Sequence, residues 1–366
     1  MYIKKISLKN FRNYNNLDIS LQPGINVFLG DNGSGKTNIL EAIYWISMLK
    51  SFRISEDAVM ISKGKDQTNI NLEISDRSLD KIYGLEYQNT KRRKIITENN
   101  NKMKRMSMVI GKVPVVLFSP ENIQVVKGDP SLRRKLIDDM LSQIDNTYYY
   151  FLNKYLKQVS HRNYLLKGIR EGKISKNSLE IWDQQVMENG IKIILARLKA
   201  IEGLNIILKQ KLCAENKQVF LEYNSKRFND LSEEGLKKEY AEFFSSSREE
   251  EIARGITLAG PHRDDISIFY NGSSAKLYGS EGQQRITSIL VKLAEGIYIR
   301  EKKDSYPVVM LDDFSSELDD FNRRFIGSTF KLFKQILITT TNTVNLKGFE
   351  PAAEFKIDNG EIQKTG

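Results

Sequence analysis

The segment that most constrains the fold is 30–37, which reads Gly-Asp-Asn-Gly-Ser-Gly-Lys-Thr. An apolar run at 25–29 precedes it, and apolar residues recur at helical spacing after Lys36. A strand, a loop of the form G-x-x-x-x-G-K-T and a helix, in that order, predict a phosphate-binding P-loop. The loop glycines permit conformations that turn successive N–H groups toward a phosphate, and the helix start favours an anion. We therefore predict an α/β fold that binds a nucleoside triphosphate; a glycine-rich turn with a surface lysine is the alternative.

The P-loop residues have separate predicted roles. Lys36 supplies a point charge to the β- and γ-phosphates, and the Thr37 hydroxyl supplies a ligand for Mg²⁺. The predicted nucleotide-binding residues of the loop are Gly30, Asp31, Asn32, Gly33, Ser34, Gly35, Lys36 and Thr37.

A second apolar run, at 307–311, ends in two acidic residues, Asp312 and Asp313. Its continuous apolar character is typical of a parallel strand that is buried on both faces. In a P-loop protein, carboxylates at the end of such a strand form a Walker B site. We expect Asp312 to hold Mg²⁺ and Asp313 to polarise the attacking water, with Lys36 as the third catalytic residue. A strand that ends in two solvated acids is the alternative.

The composition narrows the classes of partner. A single cysteine, Cys213, excludes an internal disulfide framework, and two histidines, His161 and His262, argue against a histidine metal site. No apolar stretch reaches membrane-spanning length and no signal peptide is evident, so we expect a cytoplasmic protein. The net charge of +10 makes a polyanion such as nucleic acid a plausible partner.

The pattern of apolar residues divides the rest of the chain. Apolar and polar residues alternate at 2–9, 17–21, 69–75, 81–87 and 94–97, which predicts strands. We expect a polar connection at 10–16 between the first two strands, and an antiparallel meander formed by the last three. Helical spacing dominates from 121 to about 247, and mixed helix and strand patterns return from 255. We therefore predict an ATPase domain in two parts, 1–120 and 255–366, with a helical domain inserted at 121–254.

A glycine-rich turn opens the helix that starts near residue 282. Ser280-Glu281-Gly282-Gln283 offers backbone donors and a serine hydroxyl at a helix N-terminus, which is a second place for an anion. Alone, this segment is only a weak indication of an anion site. Its position in the sequence between a P-loop and a Walker B strand makes the indication strong. Its predicted nucleotide-binding residues are Ser280, Gly282 and Gln283.

The chain resembles ABC-type ATPases, because 280–283 is similar to their signature motif and 312–319 is similar to their Walker B motif and D-loop. The resemblance to the RecF family of bacterial recombination mediators covers almost the whole length. The segments that carry it are 10–14, 30–41, 51–53, 118–121, 127–130 with Arg133 and Arg134, 260–265, 280–285 and 339–341.

This resemblance implies a P-loop head like those of Rad50 and SMC proteins, with a helical lobe inserted and no long coiled coil. It implies that ATP joins two subunits, because the signature of one covers the nucleotide of the other. It also implies binding to duplex, gapped or junction DNA, and loading of the recombinase RecA together with RecO and RecR.

The chain differs from transporter-type ABC sites at three positions: the catalytic glutamate, the switch histidine and the Q-loop glutamine. Asp313 stands where those sites have a catalytic glutamate, so we expect slow hydrolysis. Thr340 stands in place of the switch histidine, and both substitutions are shared with RecF. Gln124 is a candidate Q-loop glutamine without a firm role.

Several other residues keep two interpretations. Arg12 and Arg53 could reach adenine or phosphate, or be solvated. His262 is expected to belong to a hydrogen-bonded turn. Candidate DNA contacts, which could equally be solvated surface, are Lys91–Lys94, Lys102, Lys104, Arg105, Arg133, Arg134 and Lys135. The competing functions are an ATP-binding subunit of a transporter and a DNA-binding scaffold that does not hydrolyse ATP.

Overall fold

The computed structural model describes residues 1–76, 79–212, 218–313, 327, 329–342, 350–358 and 360–365. The chain forms two compact units, which are Met1–Asn122 with Ser288–Gly366, and Ile123–Thr287. Cys213 and the D-loop segment 314–319 lie outside the described residues. The mixed α/β fold class that the sequence predicts is confirmed.

The first unit contains an antiparallel meander in the order β2-β1-β4-β5-β6-β7. Buried and exposed residues alternate along these strands, as expected for a sheet with one face on the core. The strands are β1 (Tyr2–Phe11), β2 (Tyr14–Ser20), β4 (Gln67–Asp76), β5 (Leu79–Gln88), β6 (Arg93–Glu98) and β7 (Asn101–Lys102). The predicted connection at 10–16 is wrong in length, because backbone pairing continues to Phe11↔Tyr14 and leaves only a two-residue turn.

A second sheet of the first unit, in the order β15-β14-β3-β13-β12-β8, positions the site. Strands β14, β3, β13, β12 and β8 are parallel, and only β15 runs antiparallel. Every residue of β12 and β13 is buried, which explains the continuous apolar run that ends at Leu311 in β12. The strands are β3 (Gly24–Leu29), β8 (Val115–Phe118), β12 (Val308–Asp312), β13 (Gln335–Thr340), β14 (Pro351–Asp358) and β15 (Glu361–Lys364).

Helix α1 (Lys36–Met48) follows β3 directly. Eleven of its thirteen residues are buried, so it is a core helix and not an amphipathic surface helix. Short 3₁₀ helices occur at Asp57–Met60, Met106–Val109, Pro120–Ile123 and Lys176–Leu179.

The second unit is mainly helical. Its described helices are α2 (Gln124–Lys127), α3 (Pro130–Ile144), α4 (Asn146–Arg170), α5 (Glu180–Ile207), α6 (Glu233–Ser246), α7 (Arg248–Arg254) and α8 (Ala275–Tyr278). A π-helix at Leu208–Leu212 extends α5. The last helix, α9 (Glu281–Lys303), includes residues of both units.

The second unit also contains a sheet, in the order β11-β10-β9. Of its strands, β9 lies inside the region for which few strands were expected, while β10 and β11 lie after residue 255, where strand patterns were expected to return. Strand β9 (Val219–Asn224) pairs with β10 (Asp265–Tyr270), which pairs with β11 (Ser273–Ser274). Because β10 pairs with β9, the segment 255–287 packs with the helices. The inserted unit therefore ends at Thr287 and not at residue 254.

Candidate functional site

The P-loop connects β3 to α1 through backbone conformations that only glycine adopts easily. Gly33 has a φ of +83° and Gly35 a φ of +114°. A Cβ at Gly30 would lie 2.3 Å from the carbonyl oxygen of Ile357 on β14, and one at Gly35 would lie 2.5 Å from the Asn13 amide. The loop is therefore pressed between β14 and the β1–β2 turn, which leaves room for no other side chain at positions 30 and 35.

Lys36 lies at the start of α1 and is buried. Its Nζ donates to the carbonyl oxygens of Gly30 (2.8 Å) and Asp31 (2.9 Å). Burial lowers the pKa of Lys36, while the carboxylates of Asp313, Asp312 and Asp31 oppose that shift. The ammonium is thus held inside the loop by weak carbonyl partners, which a phosphate could replace.

The Walker B carboxylate meets the P-loop. The hydroxyl of Thr37 donates to Asp312 Oδ1 over 2.7 Å, although the two residues are 275 positions apart in sequence. Thr339 on the neighbouring strand donates to the same oxygen over 2.8 Å. Burial raises the pKa of Asp312, and these two hydroxyl donors oppose the shift. A cation at this place would therefore stabilise the ionised carboxylate.

Asp313 directly follows β12, and its backbone lies in the left-handed region with a φ of 48°. Its backbone N–H donates to the Thr339 hydroxyl over 3.0 Å. Thr340, which the sequence placed at the switch position, instead bonds to the backbone of Asn342. Of the two threonines, Thr339 is therefore the one that contacts Asp312 and Asp313.

These elements enclose a cavity of about 270 Å³ in the first unit. It is lined by Asn32, Gly33, Gly35, Lys36, Thr37, Asn38, Arg53, Asp313 and Thr339. Next to it, the Ser34 hydroxyl is buried and has no hydrogen-bond partner in the described part of the chain. An unpaired buried hydroxyl and a glycine cradle fit a ligand rich in acceptor oxygens, such as a triphosphate.

The β1–β2 turn supports the P-loop from outside. The Asn13 amide donates to the carbonyl oxygen of Ser34 (3.0 Å), and the Tyr14 hydroxyl donates to that of Gly35 (3.0 Å). Sequence reasoning missed these contacts. The only signal was the position of Asn13 and Tyr14 within the family-like segment 10–14.

Arg12 is neither solvated nor directed to the cavity. Its guanidinium donates to both oxygens of Glu41, at 2.9 and 2.8 Å, and the Glu41 side chain is wholly buried. The Ser51 hydroxyl donates to the same carboxylate. Arg53, in contrast, is exposed, lines the cavity and donates to Asn38 Oδ1 over 3.3 Å. Of the two arginines with open interpretations, Arg53 is the one available to a ligand.

The signature segment lies in the second unit and begins α9. Ser280 N donates to the Gln283 side chain (2.9 Å), and Gln283 N donates to the Ser280 hydroxyl (3.3 Å). This reciprocal pair is a capping box. Ser280, Gly282 and Gln283 are all exposed, and a Cβ at Gly282 would meet nothing within 4 Å. The helix start is therefore open to an approaching group.

Two of the arginines predicted to contact DNA make hydrogen bonds within the second unit. Arg133 is buried and donates to both oxygens of Asp265 (2.8 and 3.0 Å), and Arg134 donates to the carbonyl oxygen of Asp264. These contacts join two of the family-like segments, 127–134 and 260–265. Internal acceptors therefore hold the Arg133 guanidinium and one nitrogen of Arg134, which makes both residues less available to DNA than an exposed cation.

Within the meander, Lys94 is also engaged, because its Nζ lies 2.7 Å from Leu49 O and 2.7 Å from Asp57. The cations that stay exposed lie along β6 and the chain that returns beside it, where Met103 N bonds to Ile96 O. We call them the β6-edge cations: Lys91, Arg92, Arg93, Lys102, Lys104 and Arg105.

His262 has a structural environment. Its Nε2 lies 3.2 Å from Thr257 O, so Nε2 carries the proton, and Nδ1 accepts from the Tyr155 hydroxyl over 2.6 Å. Burial lowers its pKa to about 4. The predicted role in a hydrogen-bonded turn agrees with these contacts.

The described residues show neither a cluster of metal ligands nor a membrane-spanning helix. None of the described His, Cys, Asp and Glu residues forms a group of three that could hold a metal ion. No described helix is both long enough and apolar enough to span a membrane.

The model of the RecF/RecN/SMC N terminal domain matches residues 2–363. The DNA replication and repair protein RecF of Clostridium perfringens is 38% identical over 368 residues, covering 99% of this chain and 100% of that protein. RecF of Thermoanaerobacter sp. is 37% identical and is matched over the full length of both chains.

Solved structures agree with these relatives. A structure described as the recombination mediator protein RecF-ATP in the RecFOR pathway has a TM-score of 0.92 and 32% identity, covering 100% of this chain and 98% of that chain. An SMC head bound to the C-winged helix domain of ScpA has a TM-score of 0.57 at 16% identity, and so shares the fold alone. The chain matches RecF relatives over their full length and has the fold of a solved RecF structure. It therefore belongs to the RecF family of DNA replication and repair proteins.

Proposed function

We propose that this protein binds ATP with Mg²⁺, hydrolyses it slowly, and uses it to dimerise on DNA in recombinational repair. The observation that carries the proposal is the contact between Thr37 of the P-loop and Asp312 of the Walker B strand at 2.7 Å. Two residues that would share one Mg²⁺ are thus already adjacent. The RecF relatives and the ATP-bound RecF neighbour support the same assignment.

The residues present fit the nucleotide. Lys36 would exchange its carbonyl partners for phosphate oxygens, and the buried Ser34 hydroxyl would gain the partner that it lacks among the described residues. Thr37 and Asp312 would hold Mg²⁺, which neutralises phosphate charge when it is bound. Asp313, at the cavity wall, would accept a proton from the attacking water.

Slow turnover follows from the identity of Asp313. Its side chain is one methylene shorter than the glutamate of transporter-type sites, so its carboxylate reaches less far from the backbone. A poorly placed base lowers the rate of the chemical step without preventing ATP from binding. ATP would then act as a switch, with the bound state long-lived.

The signature supports a dimer. Ser280, Gly282 and Gln283 are exposed at the N-terminus of α9, where a phosphate is favoured. Beside them, Leu277 is 72% and Tyr278 is 77% exposed. Two large exposed apolar side chains next to a polar helix start are typical of a contact surface. We propose that this surface covers the nucleotide of a second copy.

For DNA, we propose the β6-edge cations as contacts. They lie on the outer edge of the meander and are exposed, while the arginines of α3 are engaged. Lysine and arginine contacts to phosphates would give binding that weakens with salt and depends little on base sequence. We propose that the complex acts in the cytoplasm at gapped or junction DNA with RecO and RecR, and helps to load RecA.

The competing functions are less well supported. Membership in the RecF family does not favour a transporter subunit. A scaffold without hydrolysis would not require Lys36, Thr37 and Asp313 to line one cavity, with Asp312 bonded to Thr37.

The molar mass in solution, measured by light scattering with and without ATP·Mg²⁺, tests the proposal. The Asp313→Asn variant slows hydrolysis, and Ser280→Arg in the same background blocks the signature. We expect a dimer only with ATP·Mg²⁺, and a monomer for the Ser280→Arg variant under both conditions. A protein that binds ATP but stays monomeric would overturn the dimer, and a protein that binds no ATP would overturn the whole proposal.

The DNA surface is tested separately by reversing part of it. Replacing Lys91, Arg92 and Arg93 with glutamate should weaken duplex binding and reduce its dependence on salt. Replacing Lys173, Lys176 and Lys237, exposed lysines of the second unit, with glutamate is the control. Equal losses in both triple variants would show that net charge alone governs binding.

A further inference from the structure

The Thr339 side chain contacts both acidic residues at the end of β12. Thr339 is wholly buried, and the pairing of β12 with β13 places it opposite Asp312. Its hydroxyl donates to Asp312 Oδ1 (2.8 Å) and accepts from the backbone N–H of Asp313 (3.0 Å). One hydroxyl therefore connects the proposed metal ligand to the backbone of the proposed base.

The contact to Asp313 matters because of the backbone conformation there. A φ of 48° is rare for a residue with a side chain. Such a conformation persists when surrounding contacts hold it. The bond from the Asp313 N–H to a buried hydroxyl is one such contact, and the turn that it holds carries Asp313 to the cavity wall.

The contact to Asp312 sets the orientation of a carboxylate. Thr37 and Thr339 donate to the same oxygen, Oδ1, from the P-loop helix and from β13. With two donors from two elements, the carboxylate has little freedom to rotate. Loss of the Thr339 donor would leave it held by Thr37 alone, whose hydroxyl oxygen is itself a proposed metal ligand.

We propose that Thr339 is a positioning residue for ATP hydrolysis, whose hydroxyl orients the Asp312 carboxylate for Mg²⁺ and holds the turn that presents Asp313. This proposal rests on the ATP hydrolysis proposed above. It assigns a role to a residue outside the P-loop, the Walker B acids and the signature.

Thr68 offers a matched control. It lies on β4 of the same unit and is equally buried, but its hydroxyl donates to the carbonyl oxygen of Lys9 over 3.0 Å. It does not line the cavity, so the two threonines occupy separate environments. Replacing either with valine removes one hydroxyl and keeps the shape of the side chain.

The experiment compares wild type, Thr339→Val, Thr339→Ser and Thr68→Val as full-length proteins. Steady-state hydrolysis gives kcat and KM for ATP. Titration with a fluorescent ADP, in Mg²⁺ and in EDTA, gives binding without turnover, and thermal denaturation without nucleotide gives the folding reference.

We expect Thr339→Val to lower kcat by about tenfold to a hundredfold with little change in KM, because a small misplacement of catalytic groups costs rate and not binding. The gain in ADP affinity on adding Mg²⁺ should shrink, while affinity in EDTA stays unchanged. Thr339→Ser should restore both quantities, since serine keeps the hydroxyl. Thr68→Val should resemble wild type in both.

Equal losses of kcat in the two valine variants, or a failure of serine to restore activity, would overturn the proposal in favour of general packing. If Thr339→Val does not fold, Thr339→Ala and Thr68→Ala are compared instead. If the wild type hydrolyses ATP and the Thr339→Val variant is fully active, this inference is refuted and the proposed function is not. A wild type that neither binds nor hydrolyses ATP would instead refute the proposed function.

Discussion

Replacement of Arg12 by methionine tests the ion pair that joins the β1–β2 turn to the P-loop helix. The guanidinium makes two bonds to Glu41, whose side chain is wholly buried, while the Arg12 side chain is only 14% exposed. Methionine keeps most of the aliphatic volume and removes the charge. Glu41 would then be a buried carboxylate with the Ser51 hydroxyl as its remaining donor among the bonds described here.

The magnitude follows from burial. Removing one partner of a buried ion pair costs about 3–5 kcal/mol, because the other charge stays buried and uncompensated. An exposed pair contributes about 0–1 kcal/mol. The Lys4–Asp80 pair of the same unit, with side chains 37% and 50% exposed, is the matched control. We expect Arg12→Met to lower the free energy of unfolding by about 3–5 kcal/mol, and Lys4→Met to lower it much less, because water screens the exposed pair.

The two tryptophans make the assay specific to one unit. Trp45 lies in the first unit and Trp182 in the second. In a Trp182→Phe background, the fluorescence of Trp45 follows urea unfolding of the first unit. The double variant Arg12→Met, Glu41→Gln should regain most of the loss, since the amide carries no buried charge.

Two results would refute this reasoning. One is a loss for Arg12→Met no larger than that for Lys4→Met. The other is a double variant as unstable as the single one, which would show that the buried carboxylate is not the source of the cost. Intact stability with weakened ATP binding would mean that Arg12 serves the nucleotide.

Three further predictions concern the loop, the metal ligand and the buried histidine. Gly33→Ala and Gly64→Ala each place a Cβ in open space at a φ near +80°, so each should cost about 1 kcal/mol of stability; titration with a fluorescent ADP should show weaker binding only for Gly33→Ala. Asp312→Asn should raise the thermal midpoint of the nucleotide-free protein at pH 7, because burial raises the pKa of Asp312 and the ionised carboxylate lowers stability above that pKa. The gain should shrink as pH falls toward 4, and a lower thermal midpoint at pH 7 would contradict the prediction. His262 has a pKa lowered to about 4 from an unfolded value of 6.5, so its contribution to stability is present above pH 6.5 and is lost as pH falls toward 4. His262→Gln should therefore remove about 3 kcal/mol of that pH dependence, as followed by Trp182 fluorescence in urea; an unchanged dependence would show that another group carries it.

Local sequence was sufficient for the elements that contain the motifs. The order strand, G-x-x-x-x-G-K-T, helix predicted β3 and α1, and the apolar run before Asp312 predicted a buried parallel strand. Both patterns are contiguous, and each depends on backbone conformation or burial that nearby residues dictate. The same holds for the capping box at Ser280, whose partners are three residues apart.

The roles of charged residues could not be predicted in this way. Arg12, Arg133 and Arg134 look like surface cations in sequence, but each has an acceptor far along the chain. Arg133 and Asp265 are 132 positions apart, and Arg12 and Glu41 are 29 apart. Whether an arginine binds DNA or a buried carboxylate depends on which segments pack together.

By itself, the sequence determined that the chain has a P-loop α/β domain with an acidic strand end, because those features are encoded in short runs. Only the tertiary structure decided where the inserted unit ends, since β9 and β10 must pair before 255–287 can be assigned to it. It also decided that Thr339, and not Thr340, contacts the acids. In a strand that is buried on both faces, apolar pattern does not distinguish the two sides, and the neighbouring strand decides which hydroxyl meets a carboxylate.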